Sequence, residues 1–335
     1  MKSAVIAGAG VYLPPKLVTN QDLSERLDTN DAWIRTRTGM SVRHVVEPGG
    51  ATSDLAVEAG ERALKSAGGG GADVVILATT TPDHQVPPTA PDITTRLGLG
   101  TTPAFDLSAA CAGFLYGLAT ASGLIATGTA ERVLLIGADA FTTMVDPDDR
   151  GTVVLFGDAA GAVVLRAGEA DEPGAIGTPV LGSDGSLAGL IQVPAGGSRS
   201  RSSGPVTELA DPSDAYFKMN GRETFRHAVQ RMSEASRAAV RAAGWTLDDV
   251  DRLCAHQANS RILTAVADEL GFPVERQLSN VAEVGNTAAA SLPTLLAMSA
   301  ANGTLQAGHR VLLTAFGGGL SWGAATLVWP DIDVV

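Results

Sequence analysis

The chain has 335 residues, and its 24 basic and 36 acidic side chains give a formal net charge of −12. Hydrophobic residues make up 45% and charged residues 18%, which excludes an intrinsically disordered protein. The acidic balance argues against a general nucleic-acid-binding protein, because such proteins carry a basic surface. The length fits two domains or one large α/β unit with a substantial core.

The first residues and the cysteine usage indicate the compartment. Residues 1–15 form a short apolar stretch broken by Gly10 and Pro14, which predicts a first strand and a turn instead of a secretory signal. No apolar run reaches the roughly 20 residues of a membrane helix. Cys111 and Cys254 are too few for a disulfide framework and favour a reducing compartment. We therefore expect a cytoplasmic protein without membrane contacts.

The chain predicts an internal duplication. Short β-branched runs, such as 74–81 and 132–139, alternate with Ala-rich stretches, which is typical of α/β architecture. Four pairs of similar segments recur in the same order, at Gly68 and Gly244, Asp73 and Asp251, Arg132 and Arg310, and Gly161 and Gly323. The first three pairs share nearly the same offset in residue number, whereas the fourth pair lies closer together. The first copy is therefore expected to carry an insertion between 139 and 157.

We interpret residues 1–170 and 171–335 as the two halves, with the boundary in the polar stretch 167–175. Two such halves are expected to face each other, with a site between them at the carboxyl ends of strands. Residues 195–205 have the composition of a surface loop.

Cys111 is the first candidate for chemistry. It follows the strand-like run 105–110 and precedes an apolar helical pattern, which places the thiol at a strand-to-helix turn. A helix N-terminus favours a thiolate and hence a nucleophile. The alternative is a small buried hydrophobic residue, the commoner role of a free cysteine.

His256 and Asn286 strengthen the first interpretation. His256 ends a strand of the second half, and Asn286 is expected to open the helix that corresponds to the Cys111 helix. A thiol, an imidazole and a carboxamide in one crevice suit acyl transfer. Amides from the triple glycine 317–319, together with the Cys111 amide, could form an oxyanion hole. The alternatives are a structural histidine, a helix-capping asparagine and a plain hairpin turn.

Together these residues resemble the β-ketoacyl-acyl-carrier-protein synthase III family of thiolase-like condensing enzymes. The motifs that carry the resemblance are 30–40 (NDAWIRTRTGM), 106–114 (DLSAACAGF), 146–164 (DPDDRGTVVLFGDAAGAVV), 218–225 (KMNGRETF), 255–262 (AHQANSRI), 285–293 (GNTAAASLP) and 315–325 (AFGGGLSWGAA). The resemblance covers essentially the whole chain. It implies an internally duplicated five-layer α/β/α/β/α fold, a homodimer, and a decarboxylative Claisen condensation between an acyl-CoA primer and malonyl-acyl carrier protein. Such a reaction starts fatty-acid or polyketide chains.

Roles follow from the resemblance residue by residue. Cys111 would carry the acyl group, His256 and Asn286 would support decarboxylation and condensation, and Gly318 would complete the oxyanion hole with Cys111. The resemblance implies no metal and no redox cofactor, and the sequence contains no cluster with metal-ligand spacing.

Recognition of two anionic substrates by an acidic protein requires placed cations. The resemblance implies that Trp33 and Arg150 sandwich the CoA adenine, with Arg37 and Thr38 near the nucleotide and Asn259 near the pantetheine. It assigns carrier-protein docking to Arg222, Arg226 and Arg261. The alternatives are a core aromatic for Trp33, an ion pair with Asp148 or Asp149 for Arg150, and solvated charges for the three docking arginines.

Two positions depart from the family pattern. Ala159 replaces a usual glycine, which we interpret as a packing change. Val86 stands where acetyl-using members often carry Phe, at a point where the dimer partner caps the acyl pocket. The smaller side chain predicts a primer longer or more branched than acetyl.

Two other functions compete with the condensing enzyme. One keeps the fold and Cys111 but transfers the acyl group from CoA or carrier protein to a hydroxyl or amine acceptor without condensation. The other is a catalytically silent partner that binds acyl carriers and sets primer choice. The presence of the cysteine, the histidine and the asparagine favours condensation over both.

Overall fold

The computed structural model describes residues 2–205 and 208–335. In these residues the strands are β1 Ser3–Tyr12, β2 Lys16–Thr19, β3 Val42–Val45, β4 Val74–Ala78, β5 Ala104–Leu107, β6 Arg132–Asp139, β7 Ala159–Gly168, β8 Val180–Ser183, β9 Ile191–Gln192, β10 Lys218–Met219, β11 Arg252–Ala255, β12 Arg310–Gly317 and β13 Ser321–Val328. The α-helices are α1 Asn20–Ser24, α2 Asp31–Thr38, α3 Thr52–Ser66, α4 Ala90–Arg96, α5 Gly113–Ala126, α6 Ser198–Arg201, α7 Gly221–Ala242, α8 Ser260–Leu270, α9 Val281–Val284 and α10 Ser291–Ala301.

Two mixed sheets form the framework. The first has the order β1-β7-β6-β4-β5, in which β4 is parallel to β5 and β6, while β7 is antiparallel to both β6 and β1. The second has the order β11-β12-β13-β8, in which β11 is parallel to β12 and β13 is antiparallel to both of its neighbours. Each sheet therefore combines a parallel βαβ crossover with an antiparallel return strand.

The two sheets repeat each other at the offset that separates Arg132 from Arg310. In the first sheet Val75 pairs with Leu134, and in the second Leu253 pairs with Leu312. The counterpart of β5 is reduced to one parallel bridge between Leu253 and Gln277. Between β6 and β7 the first copy carries residues 140–158, whereas only 318–320 join β12 to β13. The insertion expected from the sequence is therefore present.

Helices complete a layered arrangement. α3 packs on β1, β6 and β7, and α7 packs on β8, β12 and β13, so each covers an outer sheet face. Both are amphipathic, as expected for helices with one face in solvent. α5 and α10 contact strands of both sheets, and their buried residues surround the axis because they lie between the sheets.

The two central helices begin at matching turns. Ala110 has a φ of +46° and Ala288 a φ of +47°, and the repeat places these two residues at equivalent positions. A left-handed conformation is unfavourable for a residue with a Cβ and is tolerated here in the smallest one. Each alanine starts a short 3₁₀ turn, Ala110–Ala112 or Ala288–Ala290, that leads into α5 or α10. We call these the Cys111 elbow (residues 110–112) and the Ala289 elbow (residues 288–290).

One expectation needs correction here. The residue that corresponds to Cys111 is Ala289, and Asn286 lies before that elbow, outside the helix. The backbone of Asn286 is not part of the helix but pairs with the 140–158 insertion. Its N–H donates to Leu155 O, and its carbonyl accepts from Gly157 N–H. It therefore does not open α10.

Candidate active site

A cavity of about 980 Å³ lies between the two halves. Its lining includes Cys111, His256, Asn286 and the glycines 317–319. The seam predicted from the duplication therefore holds the thiol, the imidazole and the carboxamide together. This arrangement places a nucleophile, a proton acceptor and two kinds of hydrogen-bond donor around one space.

Cys111 is less acidic than its position at a helix start suggests. Burial raises the pKa of its thiol to about 12, and the nearby charge of Asp139 acts in the same direction. A hydrogen bond from the cysteine's own backbone N–H opposes the rise but does not cancel it. The expectation that the helix terminus favours a thiolate is wrong for the free protein, because burial and the charge of Asp139 favour the neutral thiol. Cys111 therefore rests as a protonated thiol.

His256 follows β11 and is held by its backbone, whose N–H donates to Thr314 O at 2.8 Å. Its ring is buried, and its Nδ1 has no hydrogen-bond partner among the described residues. Burial lowers the pKa of the imidazole to about 4, so the ring is neutral at physiological pH. A neutral imidazole can accept a proton from a thiol or donate its N–H to a forming oxyanion.

The Asn286 side chain is oriented by the Ala289 elbow. Its Oδ1 accepts the Ala288 N–H at 3.0 Å. With the oxygen used in this bond, the remaining polar group is the amide nitrogen, a donor of two hydrogens. Asn286 lines the cavity, so this group can stabilise negative charge there.

The glycines 317–319 bring the end of β12 against the Cys111 elbow. A Cβ built on Gly317 would lie 2.6 Å from Cys111 N and 3.0 Å from Cys111 Cβ. This position therefore accepts only glycine. The close approach puts the backbone of residues 317–319 beside the thiol, where amide groups can face a substrate carbonyl.

The residues expected to bind CoA all line the cavity; they are Trp33, Arg37, Thr38, Arg150 and Asn259. Arg37 and Arg150 carry guanidinium carbons 5.2 and 5.6 Å from the Trp33 ring centroid. Arg150 also donates to the backbone oxygen of Asp28 at 2.6 Å and pairs with its carboxylate at 3.2 Å. Its ion-pair partner is thus Asp28, not Asp148 or Asp149.

Thr38 and Asn259 have structural contacts as well. Thr38 Oγ1 donates to Ile34 O, and Asn259 Oδ1 caps α8 by accepting the Ile262 N–H. The Trp33 side chain packs partly against a hydrophobic cluster of the core. Each of these residues combines a packing or capping role with a position on the cavity wall.

The three arginines expected at the carrier protein separate into two groups. Arg222 and Arg261 line the cavity. Arg226 is not among the lining residues and forms an exposed ion pair with Glu223 at 2.6 Å. Two of the three cations are therefore at the cavity, and the third lies on the neighbouring surface of α7.

Val86 lies outside the cavity of the single chain and is 85% exposed. The apolar wall consists of other residues, chiefly three stacked or edge-packed rings: Phe141, Phe156 and Phe217. Their centroids are 4.3 to 5.2 Å apart. Sequence reasoning missed this aromatic cluster, because its members do not share a motif or a periodic pattern.

Two buried polar residues were not anticipated. Gln257 Oε1 accepts hydrogen bonds from Ser279 Oγ and from the N–H groups of Asn280 and Val281, so it ties the His256 strand end to the segment before Asn286. Asp139 accepts five hydrogen bonds at the end of β6. Asp139 lies at the end of β6, and Gln257 lies just after the end of β11, where both strands face the seam. This position is the sequence signal that would have identified both residues.

The described residues contain no group of three or more His, Cys, Asp or Glu able to hold a metal ion. No helix in residues 2–205 and 208–335 is long and apolar enough to cross a membrane.

Comparison with known proteins decides the family. Residues 105–185 match the family model of 3-oxoacyl-[acyl-carrier-protein] synthase III, and residues 240–329 match the model of its C-terminal part. A β-ketoacyl-[acyl-carrier-protein] synthase III from Streptomyces coelicolor is 56% identical over 100% of this chain and 99% of that protein. The chain belongs to the β-ketoacyl-[acyl-carrier-protein] synthase III family.

Solved structures of this family agree throughout the chain. The synthase III from Pseudomonas aeruginosa PAO1 has a TM-score of 0.92 and 47% identity, covering 99% of both chains. The priming β-ketosynthase of the R1128 polyketide pathway has a TM-score of 0.90 and 34% identity, covering 99% of this chain and 98% of that one. The predicted family and the thiolase-like α/β fold are confirmed, and this synthase III family member is an enzyme of the acyltransferase class.

Proposed function

We propose that the protein condenses an acyl-CoA primer with malonyl-acyl carrier protein and so starts fatty-acid or polyketide chains. The observation that carries this proposal is that Cys111, His256 and Asn286 all line the same cavity. A thiol alone would serve any acyl transfer. The additional imidazole and carboxamide supply donors for an enolate, which only decarboxylation and condensation require.

In the first half-reaction, Cys111 Sγ attacks the carbonyl carbon of the acyl-CoA thioester. The new C–S bond forms first and gives a tetrahedral oxyanion. Its collapse breaks the bond to the CoA sulfur, and the thiol proton passes by way of neutral His256 to that leaving sulfur. The high pKa of Cys111 makes this proton transfer part of the attack. The amides of Cys111 and Gly318 are proposed to hold the tetrahedral oxyanion.

In the second half-reaction, malonyl-carrier protein takes the place of CoA. Its bond to the carboxylate breaks, carbon dioxide leaves, and the electron pair becomes an enolate stabilised by His256 and Asn286 donors. The enolate carbon attacks the Cys111 thioester. The cysteine leaves as a thiolate and is reprotonated by one proton taken up from solution, since loss of carbon dioxide consumes a proton overall.

The mouth of the cavity fits a nucleotide-bearing substrate. The Trp33 ring with the guanidinium groups of Arg37 and Arg150 offers stacking and positive charge for the CoA adenine and phosphates. Arg150 lies over Trp33 in this structure, so a purine between them requires Arg150 to leave its Asp28 contact. Arg222, Arg226 and Arg261 remain our candidates for docking of the acidic carrier protein.

We further propose a homodimer built on the open edge of the first sheet. β5 is an edge strand, and Phe105 on it is partly exposed. Val86 lies in the segment that follows β4 and is also exposed. A second copy packed on this edge would cover both apolar side chains. Val86 of one protomer could then cap the acyl pocket of its partner, and the preference for primers longer or more branched than acetyl stays a prediction.

The division at 170/171 and the lack of a cofactor are also proposals. The first sheet draws its strands from residues 3–168 and the second from residues 180–328, which supports the division. The chemistry above needs only side chains and backbone amides, which supports catalysis without a metal or redox group.

The proposal is tested with purified protein and a panel of acetyl-, propionyl-, butyryl- and isobutyryl-CoA. Mass spectrometry should show the matching acyl shift on Cys111 and no shift in Cys111→Ala. Addition of malonyl-carrier protein should then release carbon dioxide and a 3-ketoacyl product. Acyl transfer to a hydroxyl or amine acceptor without carbon dioxide would replace condensation by simple acyl transfer. A marked preference for acetyl-CoA would overturn the primer prediction.

A further inference from the structure

Asp139 is a completely buried carboxylate with an unusual set of partners. Its Oδ1 accepts from the backbone N–H groups of Thr80 at 2.7 Å and Thr81 at 3.1 Å, and from the hydroxyls of Thr79 at 3.1 Å and Thr81 at 3.0 Å. Its Oδ2 accepts the Ala289 N–H at 2.8 Å. No cation pairs with it in the described part of the chain, so hydrogen-bond donors alone hold the group.

This network joins three elements at the seam. Asp139 ends β6, the threonines follow β4, and Ala289 belongs to the elbow before α10. The bond to Ala289 spans 150 positions in the sequence and connects the two halves. A buried, fully paired carboxylate of this kind fixes geometry because an alternative arrangement would leave polar atoms unsatisfied.

The next hydrogen bond leads into the active site. The Ala288 N–H, adjacent to the one that Asp139 binds, donates to Asn286 Oδ1 at 3.0 Å. The same residue has the left-handed φ of +47°, a conformation that needs support from its surroundings. If the elbow relaxed, its N–H would turn and the Asn286 carboxamide would lose its fixed orientation.

The Cys111 elbow has no equivalent of this support. The repeat that relates Ala110 to Ala288 makes Gly317 the counterpart of Asp139, and Gly317 contacts the Cys111 elbow directly through its backbone. The carboxylate therefore supports only the elbow next to Asn286. This asymmetry indicates a role in the reaction that Asn286 serves, beyond general support of the fold.

We propose that Asp139 is a positioning residue for the condensation half-reaction: its carboxylate holds the Ala289 elbow so that the Asn286 carboxamide faces the reacting groups. Acylation of Cys111 does not depend on this contact. The inference rests on the proposed condensing function. Its signature is a change in the second half-reaction that leaves the first one intact.

The charge of Asp139 provides a second readout. Among the charged side chains in the described residues, Asp139 is the one whose charge affects the pKa of the Cys111 thiol. It raises that pKa. The other titratable or charged side chains that line the cavity are His256, which burial keeps neutral, and the arginines Arg37, Arg150, Arg222 and Arg261. A neutral side chain at 139 therefore moves the pH profile of Cys111 alkylation to lower pH. Because entry of water would move it in the same direction, this shift supports the proposal only together with an unchanged rate of Cys111 acylation.

The test compares Asp139→Asn with the wild-type protein in both half-reactions. The amide can accept the threonine donors, but its NH₂ group then faces the Ala289 N–H and cannot accept from it. We expect the rate of Cys111 acylation by acyl-CoA to stay within about threefold. Carbon dioxide release after addition of malonyl-carrier protein should fall about 10- to 100-fold, as expected for a displaced catalytic group.

Asp158→Asn is the matched control. Asp158 is equally buried, and its carboxylate accepts from Val46 N–H and from the Thr142 N–H and hydroxyl, with no hydrogen bond to either elbow. It should not separate the two half-reactions or shift the alkylation profile. Should Asp139→Asn fail to fold, Thr79→Val removes two hydrogen bonds of the same network, the one donated to Asp139 and the one accepted from Thr81 N–H, and is expected to reduce condensation two- to fivefold without slowing acylation.

An equal loss in both half-reactions, or an unchanged condensation rate with an unshifted alkylation profile, overturns the role of Asp139. A wild-type protein that acylates Cys111 but never releases carbon dioxide would instead overturn the proposed condensation.

Discussion

The Cys111 elbow and the Ala289 elbow are two copies of one turn with different chemistry. Both begin with an alanine in the left-handed region and lead into a central helix. The Cys111 elbow presents the thiol and packs on the bare backbone of Gly317. The Ala289 elbow presents no reactive side chain, is held by the Asp139 carboxylate and orients Asn286. Duplication thus supplied two rigid turns, of which one carries the proposed nucleophile and the other orients the Asn286 carboxamide.

The strongest test of this division is Asn286→Ala. We expect a fall of about 10²- to 10³-fold in the turnover number for condensation, because one donor to the developing enolate is lost. Acylation of Cys111 should stay within about twofold. Asn280→Ala is the control, since Asn280 is also buried but does not line the cavity. Equal losses in the two half-reactions would make Asn286 a structural residue only.

The next largest effect is expected for Gly317→Ala. A methyl group there would meet Cys111 N at 2.6 Å, so the elbow must move away from β12. We expect the rate of Cys111 acylation to fall about 100-fold, together with a loss of about 1–3 kcal/mol in the free energy of unfolding. Stopped-flow acylation and denaturant unfolding measure the two quantities.

Gly123→Ala is the matched control for that substitution. Gly123 lies within α5, and a Cβ there has no other heavy atom within 4 Å. It should leave acylation unchanged and raise the free energy of unfolding by up to about 1 kcal/mol, because alanine favours a helix. Acylation by Gly317→Ala at the wild-type rate would show that the elbow tolerates displacement.

The thiol of the Cys111 elbow gives a pH dependence. Since burial and Asp139 raise its pKa to about 12, the thiolate fraction increases about tenfold per pH unit through the neutral and alkaline range. The rate of alkylation by iodoacetamide should follow this slope from pH 6 to 10, whereas an ordinary cysteine levels off near pH 8.5. Cys111→Ala controls for reaction at Cys254. A plateau below pH 8 would mean that the helix terminus stabilises the thiolate after all.

The smallest effect is expected at the left-handed alanine that begins each elbow. Glycine adopts the left-handed conformation without steric strain but is more flexible in the unfolded chain. Ala110→Gly and Ala288→Gly should each raise the free energy of unfolding by about 0.5 kcal/mol, measured by urea denaturation. Because the φ angles of +46° and +47° are nearly equal, the two changes should be alike. A large difference between them would show that the surrounding contacts, and not the turn itself, determine the strain.

Much of the site could be predicted because the duplication is visible in the sequence. Segments related by the repeat are in register in the two sheets, and this relation brings Cys111 and His256 to one seam. The alignment of Asn286 with Cys111 is wrong, since the true counterpart is Ala289 and the loop before α10 pairs with the 140–158 insertion. Helix-terminus reasoning predicts the wrong protonation state for Cys111, because burial depends on contacts that the sequence does not contain.

The contacts that sequence reasoning missed are all distant in the chain. The Asp139 bond to Ala289 and the packing of Phe141 against Phe217 depend on how the halves meet. The partner of Arg150 is Asp28, far away in the first half, although two aspartates are its immediate neighbours. Spacing in the sequence suggests interaction partners that are close in the chain. In the folded protein the partners are residues that come together at the cavity from distant positions.

In evolution, the sequence of the 140–158 insertion can change while the sheet that carries it stays the same. It connects two adjacent strands whose register is fixed, yet it contributes Phe141, Met144, Arg150, Leu155 and Phe156 to the cavity wall. Exchange of this segment between relatives would alter the primer wall and the nucleotide mouth together while leaving both elbows in place. The fold therefore allows substrate range to diverge in one continuous stretch of sequence, as long as residues 155 and 157 keep their backbone hydrogen bonds to Asn286.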